Sequence, residues 1–215
     1  MHLTNPFHPS ARPAGHGITI GTPRFYDATA TLFFGGRRAS FRALVEASGA
    51  RGGDRVLDVG CGTGYFARLL AQAVGPQGSV VGVDAAPEMT AYAGRRASRL
   101  PNVRFQPGAA ERLAFEDGEF DVVVSSLMMH HLPDEARPLA VREMRRVLRP
   151  GGTLLLADFR IADSGFWHLV ARLNGAAAMQ RRVSPLEPLV GEAGFADIRS
   201  GEVPPWLHYV RAVNP

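Results

Sequence analysis

The segment VLDVGCGTGYF, residues 56–66, most constrains what this chain can fold into. Its first half is a short apolar run, which predicts a buried strand at residues 55–59. Its last residues begin a helical pattern that runs from Tyr65 to Val74. Three alternating glycines (Gly60, Gly62 and Gly64) stand between the two. A glycine-rich turn that joins a strand to a helix is typical of α/β folds that bind a ligand at the end of the strand.

The spacing of these glycines separates two classes of ligand. Dinucleotide-binding turns have the pattern G-x-G-x-x-G and place a pyrophosphate at a helix N-terminus. Here the third glycine comes one residue earlier, and the acidic Asp58 precedes the turn. A carboxylate repels a phosphate but attracts an ammonium group. S-adenosylmethionine carries an α-ammonium group and no phosphate. The turn therefore predicts S-adenosylmethionine, with NAD binding and a purely structural turn as the less favoured alternatives.

A second acidic residue supports a nucleoside cofactor. Asp84 ends the apolar run SVVGVD, 26 residues after Asp58. A carboxylate at the end of the second strand of such a sheet reaches the ribose of a cofactor that lies across the strand ends.

Strands and helices alternate along most of the chain, which predicts βαβ units and a parallel sheet. Runs such as DVVVSS and TLLLAD lack polar alternation, as expected for strands covered on both faces. The final pair is joined only by PPW, which is too short for a crossover helix, so those strands should be antiparallel. The predicted strands are residues 55–59, 79–83, 103–106, 120–126, 153–158, 198–203 and 207–213, and the predicted helices are 37–48, 65–74, 87–100, 134–148, 166–175 and 185–193.

The fold class predicted is therefore α/β: a doubly wound, mostly parallel, seven-stranded Rossmann-like sheet with the last strand antiparallel and helices on both faces. Residues 1–38 are expected to be an N-terminal arm or lid, and residues 39–215 the cofactor-binding domain. A single cysteine, Cys61, excludes an intrachain disulfide and a cysteine-rich zinc site, and suits a reducing, cytoplasmic location. No leader or membrane-spanning run is visible, and the histidines lack metal-ligand spacing, so neither membrane nor metal is expected.

All 24 basic residues are arginine, and the formal net charge is +4. An arginine-rich surface could bind nucleic acid. A GC-rich genome explains the same bias together with the high glycine and proline content, and it is the favoured interpretation.

Four stretches resemble the class I S-adenosylmethionine-dependent methyltransferases, in particular the small-molecule branch similar to ubiquinone/menaquinone C-methyltransferases. They are VLDVGCGTGYF (56–66), VVGVDAAPEM (80–89), FQPGAAERLAFEDGEFDVVVSS (105–126) and EMRRVLRPGGTLLLAD (143–158). The resemblance covers roughly residues 40 to 160.

This resemblance implies a set of cofactor-binding residues. Asp58 and Gly60 would hold the methionine part, Cys61 and Gly62 would line the turn, and Asp84 would bind the ribose hydroxyls. The remaining predicted contacts are Ala85 and Met89 flanking the adenine, Ala110 and Glu111 near it, Ser126 facing the cofactor, and Tyr26 closing over it. The family usually has an acidic residue at the position of Ala109, which puts the adenine contacts in doubt.

His130 and His131 follow the fourth strand and are the candidates for catalysis. Strand ends line the crevice of such a sheet, and a histidine there could act as a general base on the acceptor. His131 is the preferred candidate. The alternative is that the pair packs against and hydrogen-bonds the start of the next helix.

The predicted function is transfer of a methyl group from S-adenosylmethionine to a small, apolar or aromatic metabolite by direct displacement at O, N or C. The partner would be a small-molecule acceptor, and the protein a monomer or homodimer. A non-methylating member of the fold is one alternative. A nucleic-acid methyltransferase is another, although SSLM follows the fourth strand where base amino-methyltransferases carry an Asn/Asp-Pro-Pro-aromatic signature.

Overall fold

The computed structural model describes residues 37–159, 185–204 and 207–215. The predicted arm, except for its last two residues, lies outside the described residues, and so does the predicted helix at 166–175.

Helices and strands alternate from α1 to β5, except that β4 follows β3 without an intervening helix, and α5 then leads into two strands. In chain order the elements are α1 (Arg37–Ser48), β1 (Arg55–Val59), α2 (Tyr65–Val74), β2 (Ser79–Asp84), α3 (Pro87–Arg96), β3 (Val103–Pro107), β4 (Phe120–Ser126), a 3₁₀ turn (Met129–His131), α4 (Arg137–Val147), β5 (Leu148–Phe159), α5 (Leu186–Glu192), β6 (Ala196–Val203) and β7 (Leu207–Val213).

The largest departures from the predicted bounds lie around α4. The helix begins at Arg137 rather than at 134, because the amide of Ala136 bonds the carbonyl of Pro133 in a preceding turn. It ends at Val147, and β5 begins at once at Leu148, five residues earlier than predicted. Pro150–Gly152 therefore lies within a strand, where the Gly151 amide bonds the Asn214 carbonyl, and does not end the helix.

The seven strands form one sheet in the order β3-β2-β1-β4-β5-β7-β6. The pairs from β3 to β5 are parallel, whereas β7 runs antiparallel to both β5 and β6. The predicted sheet, including its antiparallel last strand, is confirmed.

Two apolar clusters cover the two faces of the sheet. Within β4, Val122 and Val124 belong to the cluster that includes Phe41 of α1 and Leu70 of α2, whereas Val123 belongs to the cluster of α4 and α5. All three valines are almost fully buried. Burial on both faces explains the uninterrupted apolar run in this strand and confirms that helices lie on both sides of the sheet.

The connections change direction between β1 and β4, which are neighbours in the centre of the sheet. In an open α/β sheet, a crevice forms outside the carboxyl ends of the strands at such a switch point. The candidate site is built there, from residues that end or follow β1, β2, β4 and β5.

Candidate functional site

The glycine turn after β1 is held against the end of β2 by its own backbone. The amides of Gly60 and Cys61 both donate to the carbonyl of Val83, at 2.8 and 2.9 Å. Gly60 has φ +75°, a conformation that L-residues with side chains adopt at a cost. A Cβ built on Gly60 would lie 2.6 Å from Cβ of Met128, so this glycine also allows the chain after β4 to approach.

Asp84, at the end of β2, is tied to the same turn. Its Oδ2 accepts a hydrogen bond from the Gly62 amide at 2.8 Å, and its Oδ1 accepts one from the Ala86 amide at 2.9 Å. Burial raises the pKa of Asp84, and these two backbone hydrogen bonds oppose the rise. A carboxylate oxygen can accept more than one hydrogen bond, so the group retains capacity for the hydroxyls of a ribose.

Asp58, within β1, is almost fully buried, and no described residue donates a hydrogen bond to either of its carboxylate oxygens. Burial, followed by repulsion from Asp84, raises the pKa of Asp58 to about 7, while the nearby amide of Ala67 lowers it. A buried carboxylate without a partner costs free energy, and an ammonium group would relieve it. The pair Asp58 and Asp84 therefore fits an amino-acid tail next to a ribose, as in S-adenosylmethionine.

Cys61 and Gly62 lie within the turn between these carboxylates. The Cys61 side chain is buried, and burial together with Asp58 and Asp84 raises the pKa of its thiol. Its sulfur is therefore a neutral thiol rather than a nucleophile.

The predicted adenine contacts are spread over α3 and the segment after β3. Ala85 is exposed, Met89 is buried in α3, Ala110 is buried and Glu111 is half-buried. The Gly108 amide donates to the carbonyl of Asp84 at 3.0 Å, which brings this segment next to the end of β2. The contacts of these four residues with adenine stay a prediction.

The chain turns sharply after β4. Ser126, the predicted cofactor contact, is half-buried at the end of the strand. The next residue, Leu127, has φ +55°, and its amide donates to the carbonyl of Ala157 at 2.8 Å. A bulky residue in this left-handed region stores about 1–3 kcal/mol of strain, and such residues cluster at functional sites. The turn brings Met128 over Gly60.

The two candidate histidines differ in their surroundings. His130 is buried, and its Nδ1 lies 2.7 Å from Oδ1 of Asp158. The backbone amide of His130 also donates to Oδ2 of Asp158, at 3.1 Å. His131 is half-buried, and the centroid of its ring lies 4.1 Å from that of His130.

The sequence interpretation missed Asp158. It ends an apolar run, TLLLAD, just as Asp84 ends SVVGVD, and this shared pattern is the signal that could have identified it.

Tyr26 and the other arm residues lie outside the described part of the chain. Among the residues that the structure describes, no helix is long and apolar enough to cross a membrane. In the same ranges, no cluster of three or more His, Cys, Asp or Glu side chains could hold a metal ion.

Comparisons with known proteins agree with this geometry. Residues 56–152 match the family model of a methyltransferase domain. A 2-phytyl-1,4-naphtoquinone methyltransferase from Synechococcus elongatus is 38% identical over 130 residues, which are 59% of this chain and 55% of that protein. A demethylmenaquinone methyltransferase from Staphylococcus aureus is 37% identical over 117 residues, 54% of this chain and 48% of that protein. The chain spans about half the length of the curated relatives it matches.

The crystal structure of a SAM-dependent methyltransferase from Aquifex aeolicus superposes with a TM-score of 0.68. The alignment covers 81% of this chain and 89% of that one, at 23% sequence identity. At this identity, the likeness shows a shared fold.

Proposed function

We propose that this protein transfers a methyl group from S-adenosylmethionine to a small, apolar or aromatic acceptor. Residues 56–152 match the family model of a methyltransferase domain, and the chain shares its fold with a solved SAM-dependent methyltransferase. The observation that carries the proposal is the arrangement of Asp58 and Asp84. They lie at the carboxyl ends of neighbouring parallel strands, and the glycine turn bonds to the second of them.

Each described site residue has a distinct part in holding the cofactor. Asp58 would bind the α-ammonium and Asp84 the ribose hydroxyls, while Gly60, Cys61 and Gly62 would line the methionine part. Ser126 would approach from the end of β4. The adenine would contact Ala85, Met89, Ala110 and Glu111, and Tyr26 would close the site from the arm.

When bound, S-adenosylmethionine supplies a methyl group that is already activated by a positively charged sulfur. The protein then contributes alignment and the exclusion of water. The carboxyl ends of β1, β2 and β4 are held by the register of one sheet, so the donor-binding residues keep fixed relative positions.

The proposed acceptor class rests on the two named relatives. Both carry quinones in their names, one phytyl-naphtoquinone and one demethylmenaquinone, which are apolar or aromatic small molecules. A small-molecule acceptor is therefore favoured over a nucleic acid.

Calorimetric titration of the full chain with S-adenosylhomocysteine, the product of the donor, tests this proposal. We expect saturable binding at about 100 μM ligand, within the ordinary range of enzyme affinities. The Asp84→Asn variant should bind about 10- to 100-fold more weakly, because it loses hydrogen bonds to a charged acceptor.

The matched control is Asp117→Asn, which changes an exposed carboxylate that pairs with Arg146 away from the glycine turn. This variant should bind like the wild type. No binding by the wild type, or equal binding by Asp84→Asn, would refute the proposed donor site.

A further inference from the structure

The contacts of His130 distinguish it from an ordinary packed histidine. Its side chain is 1% exposed, and Asp158 beside it is 2% exposed. Asp158 accepts three hydrogen bonds, from Nδ1–H of His130 at 2.7 Å, from the His130 amide at 3.1 Å and from the Phe159 amide at 2.8 Å. Two of these three partners are backbone amides, which can only donate, so the carboxyl group of Asp158 acts as an acceptor towards them.

This arrangement fixes the tautomer of a neutral His130. Because the carboxylate of Asp158 can only accept, Nδ1 of His130 must carry the proton. The other ring nitrogen, Nε2, then carries a lone pair. A carboxylate on one ring nitrogen orients a histidine in the same way in Ser-His-Asp enzymes, where Nε2 is the base.

Nε2 of His130 is buried and makes no hydrogen bond with any residue in the described ranges. Leaving a buried acceptor unpaired costs free energy, so such a group calls for an explanation. A group with an acidic hydrogen, placed against Nε2, would provide one.

His130 lies close along the chain to a residue that contacts the proposed donor-binding turn. His130 follows Met128 by two residues, and Met128 lies against Gly60 of the donor-binding turn. Both therefore lie at the switch point between β1 and β4.

The charged and titratable groups nearest to His130 lie on the adjoining elements. The ring of His131 is tilted by 41° against that of His130, and the Nε of Arg137 on α4 donates to the carbonyl of Met129 while its guanidinium pairs with Asp134. His208 on β7 lies opposite Asp158 in the antiparallel register and pairs with Glu187 of α5 at 2.9 Å.

We propose that His130, oriented by Asp158, is the general base of the methyl transfer, and that the acceptor therefore carries an ionisable hydroxyl, as a phenol does. This inference rests on the proposed function. It favours His130 over the sequence-preferred His131, because the buried carboxylate and the unpaired Nε2 belong to His130.

The transfer balances as follows. The lone pair on Nε2 takes the hydroxyl proton, and an electron pair of the acceptor oxygen forms the new bond to the methyl carbon. The carbon–sulfur bond breaks with its electrons on sulfur, so the donor leaves as a neutral thioether. Asp158 balances the imidazolium charge until the proton passes to solvent.

The test variant is His130→Asn, because the asparagine side chain can still donate to Asp158 but has no atom in the place of Nε2. Wild type and variant are assayed in the full chain, at about pH 8, with 4-methylphenol and 4-nitrophenol as acceptors, by release of S-adenosylhomocysteine. 4-Nitrophenol is largely ionised at this pH, whereas 4-methylphenol, like tyrosine, is not. We expect kcat for 4-methylphenol to fall about 100-fold or more, and that for 4-nitrophenol to fall less than about tenfold.

The matched control is His208→Gln, which alters a second histidine–carboxylate pair that is partly exposed. Any effect of this variant should be the same for both phenols. The role of His130 would be overturned if kcat fell equally for both phenols in His130→Asn. It would also be overturned if kcat in His208→Gln fell more for 4-methylphenol than for 4-nitrophenol. Binding of S-adenosylhomocysteine without turnover of either phenol by the wild type would overturn the acceptor class while leaving the donor site intact.

A second readout does not depend on turnover. In full-length protein labelled with ¹⁵N-histidine, the nitrogen signals that disappear in His130→Asn should show a protonated Nδ1 and an unprotonated Nε2. In Asp158→Asn the proton should move to Nε2, because the amide can donate to Nδ1. A protonated Nε2 in the neutral wild-type ring would contradict the proposal.

Discussion

Asp58 shows how a single residue can be costly for folding and useful for binding. Its carboxyl is almost fully buried beside a second carboxylate, and its pKa is raised from 3.8 to about 7. The folded protein therefore holds a proton there that the unfolded chain has already lost above about pH 4. The stability that this proton provides is present at low pH and is lost as the pH rises from about 4 to 7 and above.

The Asp58→Asn variant should reveal this cost. Without added ligand, its free energy of unfolding should exceed that of the wild type at about pH 8 by up to about 4 kcal/mol, and the difference should shrink towards pH 4. Urea denaturation at several pH values measures it. The same variant should bind S-adenosylhomocysteine more weakly than the wild type, because it cannot balance the ammonium.

The sign of the pH trend decides this prediction. A variant that is less stable than the wild type at about pH 8, and equal to it near pH 4, would mean that Asp58 is ionised and stabilised in the folded protein. Asp117→Asn, at an exposed surface position, should show no comparable gain.

The proposed donor-side residues could be named from the sequence because their signal is local, and their role stays a prediction. Asp58, Gly60 and Asp84 each stand at a strand end that the sequence makes visible, and the structure brings them together. The pairing of His130 with Asp158 spans 28 residues and depends on β5 lying beside β4. Periodicity within one segment carries no information about that contact.

At the scale of elements, the glycine turn and the chain after β4 are packed as one unit. Met128 lies where a side chain at Gly60 would have to be, and Leu127 has a strained left-handed backbone that directs Met128 there. The turn proposed to bind the donor and the segment that carries His130 are thus in direct contact.

Replacing Gly60 by alanine should disturb both segments. The substitution adds backbone strain at φ +75° and a clash with Met128, so we expect a loss of about 2–4 kcal/mol in the free energy of unfolding, together with weaker binding of S-adenosylhomocysteine. Gly118→Ala is the matched control, since Gly118 has φ +68° but a Cβ built there would make only ordinary contacts, at 3.6 Å and beyond. It should lose only about 1–2 kcal/mol.

The double variant Gly60→Ala/Met128→Ala separates the two contributions. If the clash matters, removing the Met128 side chain should cost less in the Gly60→Ala background than in the wild type. Additive losses would show that backbone strain alone accounts for the effect.

The bounds of most elements were predictable from apolar patterning, whereas the start of β5 was not. The sequence Pro150-Gly151-Gly152 looks like a break between a helix and a strand. In the structure the backbones of Gly151 and Gly152 pair with that of Asn214, which comes more than 60 residues later. Backbone hydrogen bonds to a residue far along the sequence therefore extend β5 through residues that usually end an element.

For the whole molecule, Asn214 connects the last strand to the rest of the sheet. Its side-chain amide donates to the carbonyl of Leu148 at 2.8 Å, and its Oδ1 accepts from Nε of Arg145 at 3.1 Å. Its backbone also exchanges hydrogen bonds with Gly151 and Gly152. These contacts hold the end of β7 against the junction of α4 and β5.

The Asn214→Ala variant should lower the free energy of unfolding by about 1–3 kcal/mol, because it leaves a buried carbonyl without its donor. Chemical denaturation measures the change, and the exposed Glu192→Ala substitution in the last turn of α5 serves as the control. Binding of S-adenosylhomocysteine should be unchanged, since Asn214 bonds residues at the start of β5, whereas the candidate site lies beyond the carboxyl ends of the strands. A loss of binding in a folded Asn214→Ala protein would contradict this separation.

The two backbone hydrogen bonds to Asp84 have a thermodynamic consequence. They are made within the protein, so the conformational entropy of the glycine turn is lost when the chain folds and not when a ligand arrives. Affinity for the donor then depends mainly on desolvation and charge rather than on ordering the loop.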